Sequence, residues 1–170
     1  MQGFVSELID TSQLEQCGLV SYSNRSFRCD RSFTTSDIEA PLSTSYRPIS
    51  NAMARLSSYP VAGRTNISAG IDNGITVLTS VRSRPYAFRT MVLMTDGRHN
   101  KGPEPIISAR RAALQKIIIH TVTFSSEEDF TRMRAVADAT GGQHYHAPTA
   151  AELERIFRVI AATLPVLLTE

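Results

Sequence analysis

From Arg89 to Asn100 the chain reads Arg-Thr-Met-Val-Leu-Met-Thr-Asp-Gly-Arg-His-Asn. The apolar run Met91 to Met94 stops abruptly at Thr95, Asp96 and Gly97. A short apolar run bounded by turn residues predicts a strand buried on both faces, as in a parallel sheet. A carboxylate just past the carboxyl end of such a strand stands where open α/β sheets place their ligands. Gly97 permits the sharp turn this requires. Taken alone, Asp96 is either a carboxylate capping the next element or a ligand-bearing group, and spacing leaves both readings open.

At 170 residues the chain has the length of one domain and can bury a sizeable core. A hydrophobic fraction of 42% and a charged fraction of 20% are ordinary for a globular protein. The formal charge of +2 gives no reason to invoke nucleic acid or an acidic membrane surface. No apolar run approaches the roughly 18 residues of a membrane helix, and the N-terminus lacks a signal-peptide pattern. Cys17 and Cys29 flank a hairpin turn expected at Asn24-Arg25, which would place Cys17 opposite Ser32 and Val20 opposite Cys29. The thiols would then be offset on opposite faces, so two free cysteines are expected.

Along the chain, Gly3 to Asp10 reads as the tail of an amphipathic helix, and Cys17 to Ser23 pairs with Ser26 to Phe33 as a hairpin. Thr34-Thr-Ser-Asp37 reads as helix-capping chemistry, followed by a polar connection to a helix at about Ile49 to Leu56. A loop over Val61 to Asn66 leads into a helix at about Ile67 to Leu78. After Asp96, Pro103 and Pro105 open a helix with Ile106, Ala109, Ala113 and Ile117 at helical spacing. Ile117 to Phe124 is a β-branched strand, Glu127 to Thr140 a helix stopped by Gly141-Gly142, and Gln143 to His146 a short strand. Ala151 to Leu164 ends the pattern with an amphipathic stripe of Leu153, Ile156, Phe157, Ile160 and Leu164. Alternating strands and helices predict a three-layer, doubly wound α/β fold, mostly parallel, with one antiparallel edge strand.

Thr65 is the second residue of chemical interest, in a loop before a helix on the rim that also receives Asp96. A hydroxyl and a carboxylate brought together there suit a hard cation such as Mg²⁺. Thr65-Asn66 also reads as a plain N-cap. His144 and His146 alternate on one strand face, which suits either a transition metal or a partly buried edge pair. His120 reads as a core histidine whose ring nitrogens are satisfied.

Gly-Arg-Thr-Asn-Ile-Ser-Ala-Gly-Ile, followed further on by Met-Val-Leu-Met-Thr-Asp-Gly, resembles the von Willebrand factor type A domain. Cys-Gly-Leu-Val-Ser-Tyr-Ser, Ile-Ile-His-Thr-Val-Thr-Phe and Ala-Thr-Gly-Gly-Gln-His-Tyr-His agree, and the likeness spans essentially the whole chain. Within the family the mixture looks most like bacterial members, including those linked to tight-adherence pilus assembly. The resemblance implies a metal-ion-dependent adhesion site in which Thr65 and Asp96 are ligands and Arg64, Asn66, Arg98 and His99 border the partner surface. It implies Mg²⁺ (or Mn²⁺ or Ca²⁺) as cofactor, and a protein partner whose carboxylate completes the metal shell. It also implies an envelope location, anchored through a segment outside this chain.

The family's first ligand loop, Asp-x-Ser-x-Ser after a central first strand, has no counterpart here; Asp10-Thr-Ser-Gln-Leu14 is a poor substitute. The expectation is therefore a domain truncated at its N-terminus, without that strand, binding metal weakly or not at all. Its sheet gap would be closed by rearrangement or by pairing with a second copy as a homodimer. Two other functions compete with the binding module: a metal-assisted hydrolase, and a structural domain that has lost its metal. The sequence holds no Gly-x-Ser-x-Gly elbow, phosphate loop or paired carboxylates at the rim to favour an enzyme.

Overall fold

Side chains that alternate between two apolar faces decide the centre of this molecule. In the computed structural model, which describes residues 15–27, 33–58, 64–96, 98–124 and 129–164, ten elements follow one another. They are β1 (Cys17–Phe27), β2 (Phe33–Ser43), α1 (Arg47–Leu56), α2 (Ile67–Leu78), β3 (Arg89–Thr95), α3 (Pro105–Leu114), β4 (Ile117–Thr123), α4 (Phe130–Asp138), β5 (His144–His146) and α5 (Ala150–Thr163). Strands β3, β4 and β5 form a parallel ladder in that order, with Leu93 opposite Thr121 and Val122 opposite Tyr145.

Leu93, Ile117 and Ile119 face α2, α3 and α4, packing with Ile67, Ile71, Ala109, Ala112, Met133 and Val136. Val122 points the other way, where Ile156 and Ile160 of α5 cover it beside Val92 and Met94. This is the three-layer α/β arrangement expected from the alternation of elements. Each fully buried large side chain, Phe157 and Ile160 among them, stabilises the fold by roughly 1.5–3 kcal/mol relative to exposure.

Local chemistry sets the helix ends. Pro105 opens α3 at a position whose N–H needs no partner. The Thr149 hydroxyl caps α5 by accepting from the Glu152 N–H at 3.2 Å. Gly141, at a left-handed φ of 75°, ends the turn after α4, and the Gly142 N–H returns to the Ala137 carbonyl at 2.9 Å.

The N-terminal hairpin differs from the sequence expectation. Asn24 and Arg25 do not form its turn: β1 continues through them to Phe27, and its partner is β2. The register shifts between Tyr22/Ser36 and Ser26/Thr34, so the turn-forming pair is absorbed as an irregularity within the strand. Thr34 to Asp37 lie in β2 and cap no helix. Polar side chains of the pair engage one another and α1. Ser36 Oγ donates to the Ser21 carbonyl at 2.8 Å, Ser21 Oγ donates to Glu39 at 2.7 Å, and Arg55 pairs with Glu39 at 2.5 Å. Cys17 is a free thiol opposite Ser43, pushed up to about 11 by burial and by the charge of Glu15. Cys29, the first ten residues and Asp10–Leu14 lie outside the described residues.

The antiparallel pair β1–β2 is a ladder of its own and shares no strand pairing with β3–β5 among the described residues. Side chains and one helix join the two. At one end the Gln16 amide donates to the Arg82 carbonyl at 2.9 Å and accepts from the Arg84 N–H at 3.2 Å. At the other, the Tyr22 hydroxyl donates to the Met94 carbonyl. Because Gln16 precedes β1 and Arg82 precedes β3, the two strands run side by side in the same direction.

Helix α2 lies over both ladders through its glycines. A Cβ on Gly70 would come within 2.6 Å of the Tyr22 ring, and one on Gly74 within 2.4 Å of Met91. Burial, with a smaller contribution from the Asp96 charge, holds the Tyr22 phenol far above its ordinary range, so it donates at any working pH. Tyr22→Phe is expected to lower the unfolding free energy by about 1–3 kcal/mol, because a part-buried carbonyl loses its partner. Urea unfolding checks this, and wild-type stability in the variant would mean that helix packing alone holds the ladders together.

Candidate functional site

The chain on either side of α2 and β3 is laced together at the carboxyl end of β3. The Thr65 N–H donates to Asn100 Oδ1 at 2.9 Å, and the Asn100 N–H donates back to the Thr65 carbonyl at 3.2 Å. Thr65 and His99 form an isolated parallel bridge. His99 Nδ1 accepts from the Ile67 N–H at 3.2 Å. Asp96 immediately follows the last residue of β3 and is exposed, three positions before His99. Thr65 and Asp96 thus stand on loops that are tied to each other.

Asn66 decides between two readings of its neighbour. It is the N-cap of α2: Oδ1 accepts from the Ala69 N–H at 3.2 Å and from Ser68 Oγ at 2.9 Å. Gly102, at a φ of 84°, lies so close that a Cβ would come within 2.4 Å of the same oxygen. The capping task therefore falls to Asn66, and the half-buried Thr65 hydroxyl makes no hydrogen bond among the described residues.

At 6% exposure Asn66 does not border an open surface, contrary to the expectation for it. Its role is to hold the loop. His99 is half-buried and supports the loop in the same way, while Arg64 and Arg98 are exposed. Of the expected rim, the two arginines and Asp96 face solvent, and Thr65 does so in part.

Two supporting residues were not singled out from the sequence. Asn100 makes the reciprocal pair with Thr65. Asp129, buried at the start of α4, accepts from the His99 N–H at 3.1 Å and binds Arg132, which also reaches Glu104 at 3.1 Å. The acidic run Glu127-Glu-Asp129 ahead of an apolar helix was the available signal, but nothing in it points to a loop thirty positions upstream.

An oxygen-only donor pair, one hydroxyl and one carboxylate, suits a hard divalent cation held largely through water. Among the described residues no group of three or more His, Cys, Asp or Glu side chains is placed to hold a metal ion. The thin donor set fits weak binding, and no more than that.

The histidine pair on β5 has a different character. Thr121 Oγ1 donates to the Met133 carbonyl and so accepts from His144 Nδ1 at 3.0 Å. This leaves His144 Nε2 buried and bare among the described residues. The Phe130 ring packs on both imidazoles, with centroids 5.4 Å from His144 and 4.8 Å from His146. His120 is the satisfied core histidine expected, accepting from the Gln143 N–H at 3.1 Å.

Burial holds His144 below its ordinary value of 6.5, assisted by Arg134 and His146 and opposed by Asp138; burial also lowers His120. Groups held neutral in the fold take up protons more readily when it unfolds. Stability is therefore complete above the unfolded value and is lost as pH falls through 6.5 toward the lowered values. Thermal melts from pH 8 to 5 are expected to show this slope, and His144→Gln to flatten it.

A second outcome concerns the loop. Asn66→Ala is expected to cost about 1–3 kcal/mol by denaturant unfolding, from the lost cap and the stranded Ser68 hydroxyl. Thr65→Ala is expected to stay within about 0.5 kcal/mol of wild type.

Comparison with known proteins identifies the fold. The family model for the von Willebrand factor type A domain matches residues 1–159. A comparison with curated proteins returned no match. Among solved structures, proximal thread matrix protein 1 from the mussel byssus superposes with a TM-score of 0.71 at 19% identity, over 94% of this chain and 40% of that one. The same mussel protein with a zinc-occupied MIDAS motif gives 0.70 at 15% identity, over 95% and 39%. BatB, a conserved hypothetical protein from Bacteroides thetaiotaomicron, gives 0.68 at 14% identity, over 95% and 84%. The chain thus spans about 40% of the length of the mussel protein, and likeness at these identities shows the fold.

Proposed function

Because this chain belongs to the von Willebrand factor type A domain family, we propose that it is a non-enzymatic protein-binding module with a partial metal-ion-dependent adhesion site. The observation that carries the reading is the division of labour at residues 65 and 66. Asn66 caps the helix, which leaves the Thr65 hydroxyl uncommitted on a loop tied to the one that bears Asp96. Thr65 and Asp96 hold the cation, Mg²⁺ or Mn²⁺, with water completing most of its shell. When bound, the ion supplies a positive coordination position for a carboxylate of the partner protein. Arg64 and Arg98 flank that position and attract the acidic partner, while Asn66, His99 and Asn100 keep the loops in register.

Recognition of this kind breaks no bond, and the module needs no nucleophile or general base. Bacterial pilus or envelope assembly is the setting we propose, following the sequence resemblance. No helix among the described residues is long and apolar enough to cross a membrane. We also propose that a second copy pairs along the facing edges of β1 and β3, which share no strand pairing among the described residues.

With two protein oxygens in the shell, affinity is expected to be on the order of millimolar. Titrating Mn²⁺ while following thermal unfolding should give a saturable rise, worth about 1.4 kcal/mol at ten times the dissociation constant. Asp96→Ala and Thr65→Ala should abolish the rise, and Thr65→Ala should do so without lowering the metal-free melting temperature. A flat titration in the wild-type chain would overturn the metal-assisted reading and leave a packing module.

A further inference from the structure

The opposite end of the sheet carries a surface that the adhesion reading does not use. Between α2 and β3 the chain runs Val81-Arg-Ser-Arg-Pro-Tyr-Ala-Phe-Arg89, and no acidic residue occurs from Asn73 to Thr95. Val81 and Tyr86 are fully in solvent, at 104% and 97% exposure, and Phe88 is 62% exposed. Strand register extends the patch: Arg89 lies opposite Ile117, so the preceding Leu114-Gln-Lys116 turn comes alongside. Leu114 there is 81% exposed, and Lys116 is exposed too. None of the ion pairs between described residues involves Arg82, Arg84 or Lys116. Glu15 sits beside Gln16 at this edge, with its carboxyl pushed up by partial burial.

This loop is built. Gln16 holds the Arg82 carbonyl and the Arg84 N–H. The Ser83 N–H returns to Ser80 at 2.9 Å, and the Ala87 N–H to Arg84 at 3.3 Å. Tyr86 adopts a left-handed φ of 63°, a conformation that disfavours a bulky side chain. The strained backbone presents an aromatic ring to water, where it touches nothing that rewards the strain. Such an outlier points to use elsewhere.

We propose that this convex, basic and aromatic edge docks the domain onto the surface of an anionic lipid bilayer. Tyr86, Phe88, Val81 and Leu114 enter the interfacial layer, while Arg82, Arg84 and Lys116 face the lipid phosphates. A protruding tip with its apolar side chains spread along it matches a soft surface. Tyrosine favours the interface because its ring is apolar and its hydroxyl wet. Basic side chains near an anionic leaflet add attraction that salt weakens. Docked in this way, the domain turns its Thr65 and Asp96 rim away from the bilayer, since that rim lies at the carboxyl ends of the same strands.

The test is co-sedimentation of the full chain with vesicles of phosphatidylcholine alone or enriched in phosphatidylglycerol. Sedimentation is expected with the anionic vesicles only, falling as salt is raised. The double variant Arg82→Gln and Arg84→Gln should weaken partitioning about twenty-fold. Tyr86→Ser with Phe88→Ser should weaken it roughly tenfold with charge unchanged. Tyr86→Gly separates docking from folding, because glycine accepts the left-handed backbone. Its melting temperature should hold or rise while vesicle binding drops. Absence of sedimentation with anionic vesicles would overturn the proposal. So would binding indifferent to the aromatic substitutions, the behaviour of a site for any polyanion such as an acidic protein.

Discussion

One helix, α2, keeps two separate strand ladders in a common frame. Its glycines at 70 and 74, one turn apart, remove the side chains that would hold it off Tyr22 and Met91. Backbone and ring can then approach to distances that any Cβ would forbid. Among the described residues, a tyrosine hydroxyl links β1 to β3 at one end and a glutamine amide links the chain ahead of them at the other. Hydrogen bonding in a continuous sheet is repeated at every other residue. Here the same joint rests on packing against a single helix, so its strength depends on how closely that helix can lie.

The same helix positions the rim. Its first turn is capped by Asn66 and receives His99 at the Ile67 N–H, so the loop after β3 is fastened to the helix that spans both ladders. Buried Asp129 fastens that loop from the other side and carries it to α4. Groups that take part in no chemistry thus settle where Thr65 and Asp96 stand. The rim keeps its order because its loops are fixed by hydrogen bonds between protein groups.

Much of this was legible in the sequence. The helix expected at Ile67 to Leu78 is α2 residue for residue, and β3, β4, β5 and α5 fall within a few positions of their expected bounds. Those segments carry strong periodicity or punctuation, such as the β-branched run at 117–123 and the Thr149 cap. The hairpin was misread because Asn24-Arg25 has turn chemistry and Thr34 to Asp37 has capping chemistry. Both local preferences yield to distant partners, Glu39 with Arg55 and Ser36 with Ser21, that no local pattern reveals. At the rim, residue types pointed to Thr65 and Asp96 as candidates, but the sequence could not show that Asn66 would be buried or that Asp129 would reach His99. The net charge of +2 likewise hid the local excess of cations between residues 81 and 89, because acids elsewhere in the chain cancel it.

The parallel bridge between Thr65 and His99 has a mechanical consequence. It makes the loop and the helix start a single rigid piece, anchored over both ladders. Traction on anything gripped at Asp96 would not be absorbed by a slack loop. It would pass along the helix axis and arrive as shear between the antiparallel pair and the parallel strands, which share no strand pairing among the described residues. A contact held as weakly as two protein oxygens allow would let go before that joint parts, so the sheet would be spared.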